Sequence, residues 1–376
     1  FSREANALGL ETAALLLAAG LCLQVLPDVL PQVISILISL GVSTLAYWRL
    51  VHHPRRPLAS ISGKLVVVTG SSAGIGLETA TELLSLGATV IFACRSESRA
   101  RAAMRTALAA AAERAAERPM PCIAVDSDAA VFVPLDLSSC ASVVECAKAV
   151  RELAAARQKG SRAAPASGSA THGPAVHALV CNAGGFYAER TLTAEGFEAN
   201  FGANFLAHAL LTELLLPLLR PPPASSSTLT QGPAGAAHGS GSGSGAGRVI
   251  SVSSSMHKAA SLADLLSDPM SERGSYGLFP AYQRSKLAQV VHASEMQRRE
   301  DQLTTAAGGA GGGGGVTFCA VHPGNAQTEV SKNISKLAHE LYILSQPLLR
   351  LAQAGLADAA SSSIYAVAVA EPAPLR

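Results

Sequence analysis

The chain has 376 residues, 49% of them hydrophobic and 15% charged, with a formal net charge of +2 at pH 7. That is enough apolar mass for one substantial core with appendages, and the absence of a Lys/Arg stripe interleaved with aromatics excludes a nucleic-acid surface. The seven cysteines (Cys22, Cys94, Cys122, Cys140, Cys146, Cys181, Cys319) form no C-x-x-C pair and read as reduced structural thiols, and the ten histidines lack ligand spacing, so no metal site is expected.

Residues 1–57 read as a hydrophobic anchor and basic linker. Val29 to Trp48 is a run of twenty residues without formal charge, followed by Arg49, His52, His53, Arg55 and Arg56. Its length suits a bilayer span with a cytoplasmic basic flank. The shorter run Thr12 to Pro27 reads as a second, marginal span or an interfacial helix; a cleaved signal or an amphipathic helix packed on the domain are the competing readings of this region. Because the chain opens on Phe1, it is expected to be a fragment of a longer protein.

From residue 58 to 376, apolar strand-like runs alternate with helical patterns: Leu65 to Thr69, Thr89 to Cys94, Val131 to Leu135, Val176 to Cys181, Arg248 to Ser253 and Val316 to Val321. This alternation predicts an α/β domain, a Rossmann-type doubly wound parallel sheet covered by helices on both faces. Gly-, Ala-, Ser- and Pro-rich stretches at 158–174, 221–247 and 305–315 read as flexible loop insertions. The alanine-rich stretch Arg99 to Arg118 reads as a solvent-exposed helix that returns the chain to the sheet.

The first strand runs into Thr69-Gly70-Ser71-Ser72-Ala73-Gly74-Ile75-Gly76 and then into a helical pattern. A strand, a glycine turn and a helix in that order make a diphosphate site, because the backbone can approach the anion and the free N–H groups of the first helical turn receive it. After the second strand stands Ala93-Cys94-Arg95-Ser96, with no carboxylate to bond a ribose 2′-hydroxyl; Arg95 and Ser96 suit a 2′-phosphate instead, favouring NADP(H) with NAD(H) possible. Asp136 and Leu137 follow the third strand, where Asp136 reads equally as a helix amino-cap. Asn182-Ala183-Gly184 ends the fourth strand, and a buried asparagine, Asn204, sits within a helix where it needs partners.

Ser253-Ser254-Ser255 ends the fifth strand, at the edge where open α/β sheets bind ligands. Tyr282 and Lys286 are four apart on one helix face and can enter one cleft together. An unperturbed phenol, with a pKa of about 10, is a poor base at neutral pH, and a nearby ammonium is expected to favour its phenolate.

These residues resemble the short-chain dehydrogenases/reductases, over roughly Lys64 to Val369. The resemblance implies a dinucleotide held by Gly70, Ser72, Gly74, Ile75 and Gly76, by Arg95, Asp136 and Leu137, and by Asn182, Ala183 and Gly184. It adds Pro323, Gly324 and Thr328 closing over the nicotinamide. It implies a tetrad Asn204, Ser254, Tyr282 and Lys286, with Tyr282 as general acid/base, Ser254 on the reacting oxygen, Lys286 on the ribose and Asn204 positioning a relay water. Ser254 is preferred to its neighbours by likeness to V-x-V-S-S-x-x-H.

Within the family the chain is most similar to the retinol dehydrogenase group and the X-linked dehydrogenase/reductase, through Ala93-Cys94-Arg95, Phe201 to His208, Leu211 to Leu216, Ser285-Lys286-Leu287-Ala288 and Thr317 to Gly324. That likeness implies hydride exchange on a lipophilic alcohol or carbonyl (retinoid-, sterol- or polyprenol-like). The domain is then expected at a membrane, the endoplasmic reticulum, facing the cytosol, with a homo-oligomer left open. Departures from the pattern are Cys181 ahead of Asn182-Ala183-Gly184, the glycine-serine insertion before the fifth strand and an end at Arg376, ahead of a final strand. A soluble reductase of small carbonyls and a non-catalytic NADP-binding regulator are the alternatives. The stretches Lys258 to Pro280 and Ser331 to Leu356 are expected to shape the substrate pocket.

Overall fold

The computed structural model describes residues 58–118, 125–162, 173–221, 246–306, 315–324 and 356–368. The expected membrane segment, Thr328 and nearly all of Ser331 to Leu356 lie outside the described residues. Six parallel strands are described, β1 (Leu65–Thr69), β2 (Thr89–Cys94), β3 (Ala130–Pro134), β4 (Ala178–Cys181), β5 (Arg248–Val252) and β6 (Thr317–Val321). They form one sheet in the order β3-β2-β1-β4-β5-β6. Chain order reverses between β1 and β4, so the crevice beyond their carboxyl ends is where such a sheet takes a ligand.

The strands read as unbroken apolar runs because both faces are covered. Val66, Val68, Val90 and Phe92 point to one core, beneath α1 (Gly74–Ser85), α2 (Glu97–Ala116) and α7 (Leu356–Ala368). The alternate residues Leu65, Val67, Ile91 and Ala93 point to the other. That face packs against α3 (Cys140–Arg162), α4 (Ala199–Leu219) and α6 (Leu278–Ala306), with the short α5 (Leu262–Ser267) lying outside the sheet layers.

Two local expectations are corrected. Helix α2 is not simply solvent-exposed: Ala100, Ala103, Ala107, Ala111 and Ala115 form a buried stripe, small enough to let the helix lie close to α1 and the sheet. Its outer edge is pinned by Arg114 to Glu78 at 2.8 Å and by Arg118 to Glu82. Helix α3 continues to Arg162, into the first expected loop, because Arg157, Gln158 and Lys159 are good helix formers.

Helix α4 is the one segment among the described residues long and apolar enough to cross a membrane, with mean hydropathy 1.4. Over half of it is buried inside the domain, which accounts for its composition as that of a core helix. Between Gly202 and Leu206 it widens into one π-helical turn, an interruption frequent at functional sites.

Candidate active site

The glycine turn is shaped by backbone demands. Gly70 and Gly74 have φ of +66° and +59°, where a side chain is strained. Gly76 has a different constraint: a Cβ there would sit 2.3 Å from Asn182 Nδ2 and 2.5 Å from Gly70 O. Helix α1 then starts at Gly74 with no side-chain cap on Ala73 and no acidic residue in its first turn. The donors of that turn are thus left for an incoming anion. Ser72 and Ile75 are partly buried on the same turn.

Thr69, the last residue of β1, ties this turn to the rest of the site. His208 Nδ1 lies 3.0 Å from Asn204 O, which can only accept, so Nδ1 carries the proton. Burial pushes the His208 pKa down to about 4, so the ring is neutral and Nε2 accepts the Thr69 hydroxyl proton at 2.9 Å. The Thr69 oxygen in turn accepts the backbone N–H groups of Asn182 and Ala183, both at 2.9 Å. Asn182 Nδ2 donates back to Thr69 O at 2.9 Å. Neither Thr69 nor His208 was singled out in the sequence for this role; the spacing of Asn204 and His208, one helical turn apart, is the signal that was there.

The structure brings Asn204, Ser254, Tyr282 and Lys286 to the carboxyl ends of β4 and β5. Ser254 Oγ, which accepts Met256 N at 3.3 Å, stands close enough to the Tyr282 phenol to lower its pKa. Ser253 instead is buried and donates to Lys286 O at 2.9 Å, and Ser255 gives its N–H to His322 Nδ1 at 3.1 Å. Of the three serines, only Ser254 acts on the titration of the phenol. Lys286 Nζ donates to Val252 O at 2.9 Å and to Gln289 Oε1 at 3.1 Å. A Cβ on Gly184 would stand 3.3 Å from Asn204 Oδ1 and 3.7 Å from that Nζ, so Gly184 lies against both the asparagine and the lysine.

Asn204 is fully buried, and its side chain clamps the loop after β4: Oδ1 accepts from Gly185 N at 2.9 Å, and Nδ2 donates to Gly185 O at 3.0 Å and to Ser285 Oγ at 3.3 Å. Its carbonyl already receives His208 and Gln289 Nε2, the latter at 2.8 Å.

The electrostatics differ from the sequence-based expectation. Burial pushes the Tyr282 phenol up to about 12, partly opposed by Ser254. Burial also brings Lys286 down to about 8. The ammonium lies over the face of the tyrosine ring, 5.5 Å from its centroid, with its donors turned to Val252 and Gln289, so it does not depress the phenol.

Residues around this centre are also placed. Arg95 is exposed just beyond β2, and its charge, like that of Asp136, is felt at Tyr187. Ser96 caps α2, accepting from Arg99 N at 3.5 Å. Asp136 makes an Asx turn, accepting Ser138 N at 3.0 Å and Ser138 Oγ at 2.7 Å, while α3 is capped by Glu195, which accepts Cys140 N at 2.6 Å. Leu137 and Pro323 are partly buried, and Gly324 turns the chain away from β6 with φ of +79°.

On the opposite side, Phe186 stacks on Tyr282 at 3.8 Å and meets Phe279 edge-on at 6.1 Å. Below this wall a buried carboxylate, Glu198, accepts Asn200 N and Phe201 N, both at 2.9 Å, and the Tyr276 hydroxyl at 3.0 Å.

The short chain dehydrogenase family model matches residues 64–228. Retinol dehydrogenase 14 of Homo sapiens is 31% identical over 311 residues, 81% of this chain and 73% of that protein. The chain belongs to the short-chain dehydrogenase/reductase family. It is an oxidoreductase near the retinol dehydrogenase group. Polyprenol dehydrogenase of Mus musculus is 34% identical over 238 residues, 63% of this chain and 54% of that protein. A solved structure of an uncharacterised protein from Mycobacterium paratuberculosis shares 27% identity with a TM-score of 0.50, over 84% of this chain and 80% of that one. The Rossmann sheet expected of this short-chain dehydrogenase is therefore what the six strands form.

Proposed function

We propose that this short-chain dehydrogenase/reductase interconverts a lipophilic alcohol and its aldehyde or ketone with NADP(H), using Tyr282 as general acid/base. The observation that carries the reading is Tyr282 with Ser254 close to its phenol and Lys286 one helical turn away, its ammonium over the tyrosine ring, at the carboxyl end of β5 beside the glycine turn. The uncapped start of α1 and the open space beside Gly74, where a Cβ would meet nothing within 4 Å, fit a diphosphate, and exposed Arg95, in an Ala93-Cys94-Arg95-Ser96 segment that carries no carboxylate of its own, fits a 2′-phosphate. When bound there, such a cofactor supplies or takes up the hydride.

The residues of the chain handle the proton. Ser254 donates a hydrogen bond to the carbonyl oxygen and orients it towards Tyr282. Tyr282, protonated at neutral pH because burial lifts its phenol to about 12, gives its proton to that oxygen as the carbon is reduced. In the reverse direction the phenol must first lose its proton. Lys286, whose amine donates to Val252 O and Gln289 Oε1, holds a positive charge over the tyrosine ring.

A lipophilic substrate is supported by the aromatic pair Phe186 and Phe279 beside Tyr282, by Leu262 and Leu266, exposed on α5, and by the names of the relatives, a retinol and a polyprenol dehydrogenase. Such a substrate partitions into bilayers, which agrees with a membrane anchor in residues 1–57 and a membrane location at the endoplasmic reticulum. The test is NADPH-dependent reduction of a retinal, sterol-ketone and polyprenal panel by the full chain in membranes. Tyr282→Phe is expected to lower the rate by about 10²- to 10⁴-fold while NADPH still binds. An undiminished rate in that variant overturns the assignment.

A further inference from the structure

We propose that Gln289 is a positioning residue of this active site: its side-chain amide spans the gap between the Asn204 carbonyl and the Lys286 ammonium, taking the place expected of a relay water and fixing the ammonium against the tyrosine ring. The proposal rests on the reading of Tyr282 and Lys286 given above. Nε2 donates to Asn204 O at 2.8 Å and Oε1 accepts from Lys286 Nζ at 3.1 Å. The orientation of the amide is dictated by its neighbours, since a carbonyl can only accept and an ammonium can only donate. Gln289 is 2% exposed and sits three residues after Lys286 on α6, so it lies on the same helix face.

The bridge has two consequences. It joins the π-helical turn of α4 to α6 at the one carbonyl that His208 also holds, so the distance between the two helices is set where the lysine stands. It also supplies one of the two oxygen acceptors that keep a buried ammonium charged, the other being Val252 O. Among the described residues, the titratable groups facing that ammonium are Tyr282 on its own helix and neutral His208 on α4; β5 presents a backbone carbonyl and the loop after β4 presents Gly184. Lys286 releases its proton near pH 8 in the folded chain and near its ordinary value when unfolded. Between those values the unfolded chain binds one proton more, so stability rises with pH.

Two variants read this out. Gln289→Met keeps the length and removes both polar ends; Gln289→Glu keeps the acceptor for Lys286 and adds a charge. Thermal melting of the full chain between pH 6 and 10, without cofactor, is expected to begin its climb about one pH unit lower in Gln289→Met and higher in Gln289→Glu. In a Lys286→Met background the shift caused by Gln289→Met is expected to vanish. With NADPH and retinal, kcat is expected to fall about tenfold in Gln289→Met with KM changed less than threefold. Superimposable pH curves for wild type and both variants overturn the proposal, as does a shift that persists without the lysine. Should Gln289→Met fail to fold, the Gln289→Glu curve decides. If Tyr282→Phe retains full turnover, the functional reading falls, whereas the melting curves, which need no turnover, still judge the bridge.

Discussion

The two halves of the cleft are built in opposite ways. The glycine turn between β1 and α1 works through atoms that are missing: no Cβ at Gly76, no cap on α1, no acid in its first turn. The Tyr282 half works through side chains that are present, buried and titratable, with a phenol lifted to about 12, a lysine brought to about 8 and a neutral histidine. One half therefore fails by steric intrusion and the other by a change of proton or partner. Substitutions can be chosen to separate these failures.

The largest expected effect is at Gly76. With Asn182 Nδ2 and Gly70 O within 2.5 Å of the new Cβ, Gly76→Ala must push the start of α1 off the turn or displace the Asn182 amide from its bonds to Thr69 O and Gly70 O. A cost of about 3 kcal/mol is expected, at the upper end for overpacking. NADPH binding should be lost even where the protein stays folded; calorimetric melting with and without NADPH measures both, and retained binding would show that the cradle tolerates the shift.

Next comes the serine pair. Ser254→Ala is expected to lower kcat about 10²-fold with little change in melting temperature, since on the proposed mechanism its hydroxyl orients the reacting oxygen. Ser253→Ala should do the reverse, leaving kcat within a fewfold and costing about 1 kcal/mol for the lost bond to Lys286 O. Equal effects on kcat would remove the distinction between them.

Acid should act on the whole domain through its buried histidines. His177 and His208 are both brought to about 4, chiefly by burial. Between that value and about 6.5 the unfolded chain binds protons that the folded one refuses, so stability falls as pH drops through this window, by on the order of 3 kcal/mol per histidine. His208→Gln should flatten part of that slope in urea titrations. It should also loosen the Thr69–Asn182 link, visible as weaker NADPH binding; an unchanged slope would place the acid sensitivity elsewhere.

Much of this was legible in the sequence because the elements carry local signatures. The bounds of β1 and β2 follow their apolar runs, and the glycine turn stands where strand meets helix. Motif spacing named Asn204, Ser254, Tyr282 and Lys286, and the fold brings these four positions to the carboxyl ends of β4 and β5; which of the three serines acts in the chemistry belongs to the proposal. Less was legible where the cause is a contact between distant segments. The buried alanine face of α2 depends on α1 lying across it, and the raised phenol depends on the burial of Tyr282, stacked under Phe186 from another segment. Gln289 follows Ser285-Lys286-Leu287-Ala288 immediately, yet its role requires the Asn204 carbonyl, 85 residues away, to be brought to it.

Gly74→Ala is the smallest expected effect and the sharpest probe of the glycine half. Gly74 shares positive φ with Gly70, but a Cβ there meets nothing within 4 Å, whereas at Gly70 it would lie 2.9 Å from Ala183. An alanine at Gly74 should therefore cost only the left-handed backbone penalty, about 1 kcal/mol. A melting shift of a few degrees with normal NADPH affinity would mean that Gly74 serves the turn alone. If affinity instead falls as far as in Gly76→Ala while melting hardly moves, the open space beside Gly74 is the space the diphosphate fills, and the glycine is there for the ligand rather than for the chain.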